Sequence, residues 1–116
     1  MEKRTPVRES VIESYLVKEV KKVGGLCYKF TSSVNGVPDR IVIYNGGVYF
    51  VEVKRPGGKV RKDQKKVHND IQARGVDVYV IDTRDGVRSF IADTLKAEPL
   101  ESLADTKQLS FDLSKI

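Results

Sequence analysis

Two strand-like runs, Arg40-Ile-Val-Ile-Tyr44 and Val48-Tyr-Phe-Val-Glu-Val-Lys54, are separated only by Asn45-Gly46-Gly47. Asn-Gly between apolar runs is a strong hairpin signal, because a type I′ turn needs positive φ at both central residues. This feature constrains the fold most, since the turn length decides which residues oppose one another. With a two-residue turn at Asn45-Gly46, Tyr44 pairs with Gly47 and Asp39 lies directly opposite Glu52. Residues so placed have Cβ atoms about 4.5–5.5 Å apart on one face. A three-residue turn shifts the pairing by one and makes Asp39 and Glu52 diagonal neighbours. Glu52 and Lys54 share a face in either register, because strand side chains alternate with period two. The two-residue register also puts Ile41, Ile43, Val48 and Phe50 on the carboxylate face, which reads as a buried apolar face ending in two acids.

The flanking segments supply the remaining layers. From Arg8 to Val23, the residues Ile12, Leu16, Val20 and Val23 recur at helical spacing, with Val11 and Tyr15 widening the stripe. Ser10 is a candidate cap, and Gly24-Gly25 is a stop signal. Leu26 to Thr31 alternates as a short strand, and Ser32 to Pro38 has loop composition. After Pro56-Gly57-Gly58, the stretch Lys62 to Arg74 predicts a helix with Val67 and Ile71 inward, closed by Gly75. Val76 to Ile81 predicts a buried strand. Asp85-Gly86 reads as a turn into a last strand, Val87 to Ile91. The order α-β-β-β-α-β-β defines an α/β domain, a small mixed β-sheet flanked by helices. The 116 residues suit one domain. They divide into a basic leader (1–8), a folded domain (9–91) and a C-terminal extension (92–116).

The paired acids carry chemistry. Two carboxylates held this close repel unless a cation sits between them. A hard divalent ion with oxygen ligands, Mg²⁺ or Mn²⁺, meets that need, polarises a phosphate and acidifies a bound water. Lys54, on the same face, can hold that water or offset charge developing on phosphorus. One histidine and one cysteine leave no zinc cluster. The plainer alternative makes Asp39 a turn cap and leaves Glu52 and Lys54 solvent-facing on an edge strand.

Charge points to a polyanion. Residues 1–91 hold 18 Lys and Arg against 11 acids, and seven of the basic residues fall between Lys54 and Lys66. Arg40, Arg55, Lys59, Arg61, Lys62, Lys65 and Lys66 are the candidate DNA contacts, suited to a row of phosphates. A solvated lysine-rich surface would read the same way. No apolar run approaches the roughly 20 residues of a membrane span. With no secretory signal and a single cysteine, Cys27, the expectation is a cytoplasmic protein.

At Pro38-Asp39 and Glu52-Val53-Lys54 the sequence resembles the PD-(D/E)xK nuclease superfamily. Gly36-Val37-Pro38-Asp39-Arg40, Phe50-Val51-Glu52-Val53-Lys54 and Gln64 resemble, more closely, its VRR-Nuc family, over residues 9 to 82. The resemblance implies a restriction-endonuclease-like αβββαβ core and metal-dependent cleavage of DNA. It makes Asp39, Glu52 and the Val53 carbonyl metal ligands, Lys54 the catalytic lysine, and Gln64 a residue that orders the site or contacts DNA. It also implies a glutamate from the first helix. Glu13, about eleven residues before the helix-ending glycine, is preferred as a catalytic and metal-binding group, and Glu9, one turn earlier, is the alternative.

Stand-alone members of the family, often phage-encoded, resemble homodimeric nucleases that prefer four-way (Holliday) junctions. This implies a DNA junction partner, a two-fold dimer and a bacterial or phage-infected host cytoplasm. Flap or fork cleavage by the same chemistry is the alternative, and a non-catalytic junction-binding module is the reading from another class. His68, four residues after Gln64, reads as a partly exposed residue near phosphates. Cys27 reads as a small buried hydrophobe, and Tyr28, Tyr44, Tyr49 and Tyr79 as core or interface residues. The terminal Gln108-Leu-Ser-Phe-Asp-Leu113 resembles glutamine-led peptides that bind bacterial sliding clamps, an ordinary terminal strand being the alternative.

Overall fold

A computed structural model describes residues 6–97. The candidate clamp-binding segment 108–113 and most of the predicted leader and extension lie outside them. Helix α1 (Glu9–Lys22) is followed by β1 (Leu26–Lys29), β2 (Arg40–Tyr44) and β3 (Gly47–Val53), then α2 (Lys62–Gln72), β4 (Val78–Ile81) and α3 (Arg84–Ser89). A π-helical turn, Phe90–Thr94, continues α3. The sheet order is β1-β2-β3-β4, antiparallel except for the parallel β3–β4 pair. The α/β class and the small mixed sheet with flanking helices agree with the sequence reading.

The hairpin takes the two-residue turn. Asn45 and Gly46 have φ of 48° and 84°, and Tyr44 pairs with Gly47. Helix α1 forms as its spacing dictates, with Ile12, Leu16 and Val20 each at most 1% exposed. Its amide groups begin after Arg8 rather than Ser10, which lies inside the first turn, and no side chain caps it. Gly24, at φ +89°, ends it in a conformation that glycine alone adopts without strain. Gly25 then allows close approach, since a Cβ there would lie 2.8 Å from Val20 and 3.2 Å from the Ile43 carbonyl.

The core lies on one face of the sheet. Val42, Val51 and Val53 are fully buried there with Ile81, under α1, Val87 and Phe90. This corrects the predicted facing of the hairpin. The Ile41, Ile43, Val48 and Phe50 face is the more open one, with Val48 at 55% exposure and Leu26 and Tyr28 at 46% and 56%. Both faces of the hairpin are apolar, so alternation alone does not say which one the helices cover. Val80, at 46%, likewise shows that β4 is an edge strand rather than a buried one. Tyr28 is accordingly outside the core, whereas Tyr49 and Tyr79 pack edge-on around Phe90.

The predicted last strand, Val87 to Ile91, is helical. Asp85-Gly86 forms the first turn of α3 instead of a hairpin turn, and Thr83 Oγ1 accepts from the Gly86 amide at 2.8 Å as its cap. Val87 and Phe90, three apart, are 0% and 4% exposed, which is helical spacing. Leu95 is also buried, at 6%, so the folded unit runs past residue 91. Replacing Leu16 by alanine is expected to cost about 2–5 kcal/mol in urea unfolding. Replacing Val34, which is 59% exposed, is expected to cost less than about 0.5 kcal/mol.

Candidate active site

Asp39 stands at the entrance to β2, and Glu52 and Lys54 at the exit of β3. The ladder reaches both ends: the Phe30 amide donates to the Asp39 carbonyl at 2.7 Å, and the Lys54 amide to the Ile81 carbonyl at 2.9 Å. Arg40 pairs with Val51, so the next step of the register sets Asp39 across from Glu52. At that separation the Asp39 charge acts directly on Glu52. Asp39 Oδ2 also accepts a long bond, 3.4 Å, from the Val53 amide. The segment before Asp39 is held against α2, because Gly36 (φ +95°) is so close that a Cβ would fall 2.5 Å from the Asp63 carbonyl.

Glu52 is only 1% exposed. Its Oε2 accepts from Gln64 Nε2 at 2.9 Å, and Lys54 Nζ lies 3.7 Å from the same oxygen. Gln64 is itself fixed, since its Oε1 accepts from the Arg61 amide at 2.8 Å as half of a capping box on α2. Glu52 Oε1 has no hydrogen-bond partner, nor has His68 Nε2, which is 3.7 Å away. Burial and then the Asp39 charge push the Glu52 carboxyl up to about 8 against the pull of Lys54. Burial and then Lys54 hold His68 below its ordinary value.

The structure thus brings Asp39, Glu52, Lys54 and Gln64 together. It separates Glu13 from them. Glu13 accepts from Arg40 Nε at 2.8 Å in a half-buried ion pair, which also occupies Arg40, one of the candidate phosphate contacts. Glu9, one turn earlier, has its carboxyl raised by partial burial and then by the Asp39 charge, with Lys54 opposing. Glu13 and Glu9 are thus the two candidate acids that α1 offers, Glu13 in the ion pair with Arg40. Arg55, Lys59, Arg61, Lys62, Lys65 and Lys66 are all exposed, and Arg61 pairs loosely with Asp63 at 3.3 Å. His68 is buried, at 6%, not partly exposed. It and Gln64, rather than the half-buried Val67 and Ile71, lead the inward face of α2. Their spacing of four residues was the signal for that shared face.

The residue types suit a hard cation: two carboxylates set across from one another on neighbouring strands, one of them with an unpartnered buried oxygen. Among the described residues, no three His, Cys, Asp or Glu side chains form a compact metal-binding group.

Residues 7–85 match the VRR-NUC domain. The chain belongs to that family. It is 47% identical over 81 residues, 68% of this chain and 87% of the relative, to "Putative nuclease p44" of Acyrthosiphon pisum secondary endosymbiont phage 1. A solved structure described as a VRR_NUC domain superposes with a TM-score of 0.69 at 27% identity, covering 75% of this chain and 97% of that one. A second, a VRR_NUC domain protein, reaches 0.65 at 19% identity over 82% and 93%, a likeness of fold. Membership makes this VRR-NUC chain a nuclease-family domain, and the carboxylate–carboxylate–lysine centre is its candidate active site. None of its described helices is long and apolar enough to cross a membrane.

The buried acid sets the pH dependence of stability. An unfolded Glu52 titrates near its ordinary 4.5 and the folded one near 8, so the unfolded chain loses that proton first as pH rises. Without metal, stability therefore falls as pH climbs toward 8. His68, whose value is lowered, costs stability only as pH falls below its ordinary 6.5, which leaves the window above that to Glu52. Urea midpoints in EDTA are expected to drop between pH 6.5 and 8, and Glu52→Gln to flatten the drop. A midpoint that stays level or rises for the unsubstituted chain would contradict the assignment.

Proposed function

We propose that this chain is a Mg²⁺- or Mn²⁺-dependent DNA endonuclease that hydrolyses phosphodiesters in four-way (Holliday) junctions as a homodimer. The observation that carries the catalytic part is the placing of Asp39 across from Glu52, beside Lys54, in a niche that seals Glu52 from solvent. Asp39 and Glu52, with the Val53 carbonyl, would hold the cation, and α1 would add Glu13 or, one turn earlier, Glu9. When bound, the cation supplies Lewis acidity and a more acidic water.

The chain's own groups do the rest. Lys54 is held by Glu52 at the edge of the niche, where its ammonium can orient the attacking water or offset charge on the phosphorane. Gln64 keeps Glu52 turned toward that edge. Arg61, Lys62 and Lys66 line an open depression of about 800 Å³ beside the start of α2, where phosphates of the substrate would lie.

Symmetric opening of a junction needs two nicks, and each chain carries one centre. The open sheet face, where Leu26, Tyr28, Val48 and Val80 stay exposed across the sheet, supports pairing with a second copy. The four-way preference follows the family resemblance.

Labelled junctions, flaps, forks and duplexes, incubated with Mn²⁺ or with EDTA, test the reading. Metal-dependent cleavage of the junction ahead of the others is expected, and no cleavage of any substrate would refute the enzymatic proposal. Lys54→Ala is expected to lower the single-turnover rate by about 10²–10³-fold with junction binding retained in gel shifts. Lys62→Ala and Lys66→Ala are each expected to reduce the salt slope of binding by about one.

A further inference from the structure

Gln64 and His68 stand one helical turn apart on α2, and both are buried against Glu52. They treat its two oxygens differently. Oε2 accepts a 2.9 Å bond from Gln64, whereas Oε1 has no partner. His68 Nε2 is also unpartnered and buried, and it lies 3.7 Å from Oε1. Two buried polar atoms that both lack a partner and face one another are a rare arrangement, because interiors pair such groups directly or through water. The rest of the inward face of α2 is apolar, from Val67 and Ile71, so packing alone would favour an apolar residue at position 68.

The terminal torsion of a glutamate is soft and roughly two-fold. A single bond to Oε2 therefore lets the carboxylate swing about that contact, and a second at Oε1 stops it. We propose that His68 is a positioning residue for Glu52, its Nε2–H reaching Oε1 by a small closure or through one bridging water, so that Gln64 and His68 together fix the carboxylate's orientation. This rests on the reading of Glu52 as a metal ligand. Groups that orient a ligand in this way typically govern metal affinity by about 10–100-fold.

The full chain, with His68→Leu and His68→Gln, would be titrated with Mn²⁺ and free ion followed by electron paramagnetic resonance, without DNA. Thermal melts in EDTA would run in parallel. His68→Leu is expected to weaken Mn²⁺ binding about 10–100-fold with a melt no lower than that of the unsubstituted chain. His68→Gln, whose amide reaches the position of Nε2, is expected to recover most of the affinity. Unchanged affinity in His68→Leu overturns the proposal, as does a His68→Gln affinity as poor as that of the leucine variant. Should His68→Leu not fold, His68→Asn takes its place, since its shorter amide falls short of Oε1; equal affinity of the Asn and Gln variants would then overturn the proposal. An unsubstituted chain that binds no Mn²⁺ at all overturns the metal reading itself, and this proposal with it.

Discussion

Glu52 is enclosed at 1% exposure with Asp39 across from it, and one lysine at 3.7 Å as the nearest positive charge. Ionising that carboxyl inside the protein is unfavourable, since desolvation and Asp39 act in the same direction. Much of the surrounding structure maintains this situation. The I′ hairpin sets Asp39 across from Glu52, the parallel β4 strand covers one flank of β3, and α2 lays Gln64 and His68 over the top. Meanwhile Val42, Val51 and Val53 bury the opposite face under α1 and α3, so the strands that present the acids are anchored from behind. The stable half of the sheet supports the unfavourable half. A protonated Glu52 and a cation between the two carboxylates would be two ways to relieve the same repulsion, and metal uptake would then be coupled to proton loss.

The parts of this arrangement that were legible in the sequence are those governed by local chemistry. Asn45-Gly46 demanded positive φ at both positions, and that fixed the register that brings position 39 to position 52. Ile12, Leu16 and Val20 recur every four residues, which specified α1 and its buried face. What escaped were choices that only tertiary contacts make. Both faces of the hairpin are apolar, so the covered one depended on where α1 and α3 landed. Asp85-Gly86 can open a hairpin or a helix, and the Thr83 cap with Val87 and Phe90 on one side decided for the helix. Glu9 and Glu13 lie on one face of one helix, and only the approach of Arg40 to Glu13 separates them.

His68 illustrates a related limit. A histidine four residues after a glutamine on a polar helix resembles a surface group, because every neighbour except Val67 and Ile71 is polar or charged. Burial comes from outside the helix. Gly36 brings the loop before Asp39 onto the backbone at Asp63, and so draws the first turn of α2 down onto β3. A glycine at 36 is therefore tied to a site it never touches. Any side chain there would meet main chain at 2.5 Å and push away the helix that carries both Gln64 and His68.

The chemistry and the choice of substrate rest on different surfaces. Cleavage depends on a few side chains at the end of β3, whose geometry is set by the sheet. On the proposed reading, recognition of a DNA shape would depend on the exposed lysines and arginines from Arg55 to Lys66, and on whatever covers the open sheet face. Phosphate contacts position a duplex without identifying it. A basic surface of this kind therefore grips flaps, forks and junctions alike, and discrimination has to arise from how two such surfaces are spaced and angled. A second copy on the Leu26, Tyr28, Val48 and Val80 face would fix that spacing, whereas another occupant of the same face would leave one basic surface and one cut. Within a common catalytic centre, the covering of one sheet face is then what separates paired nicking from single nicking.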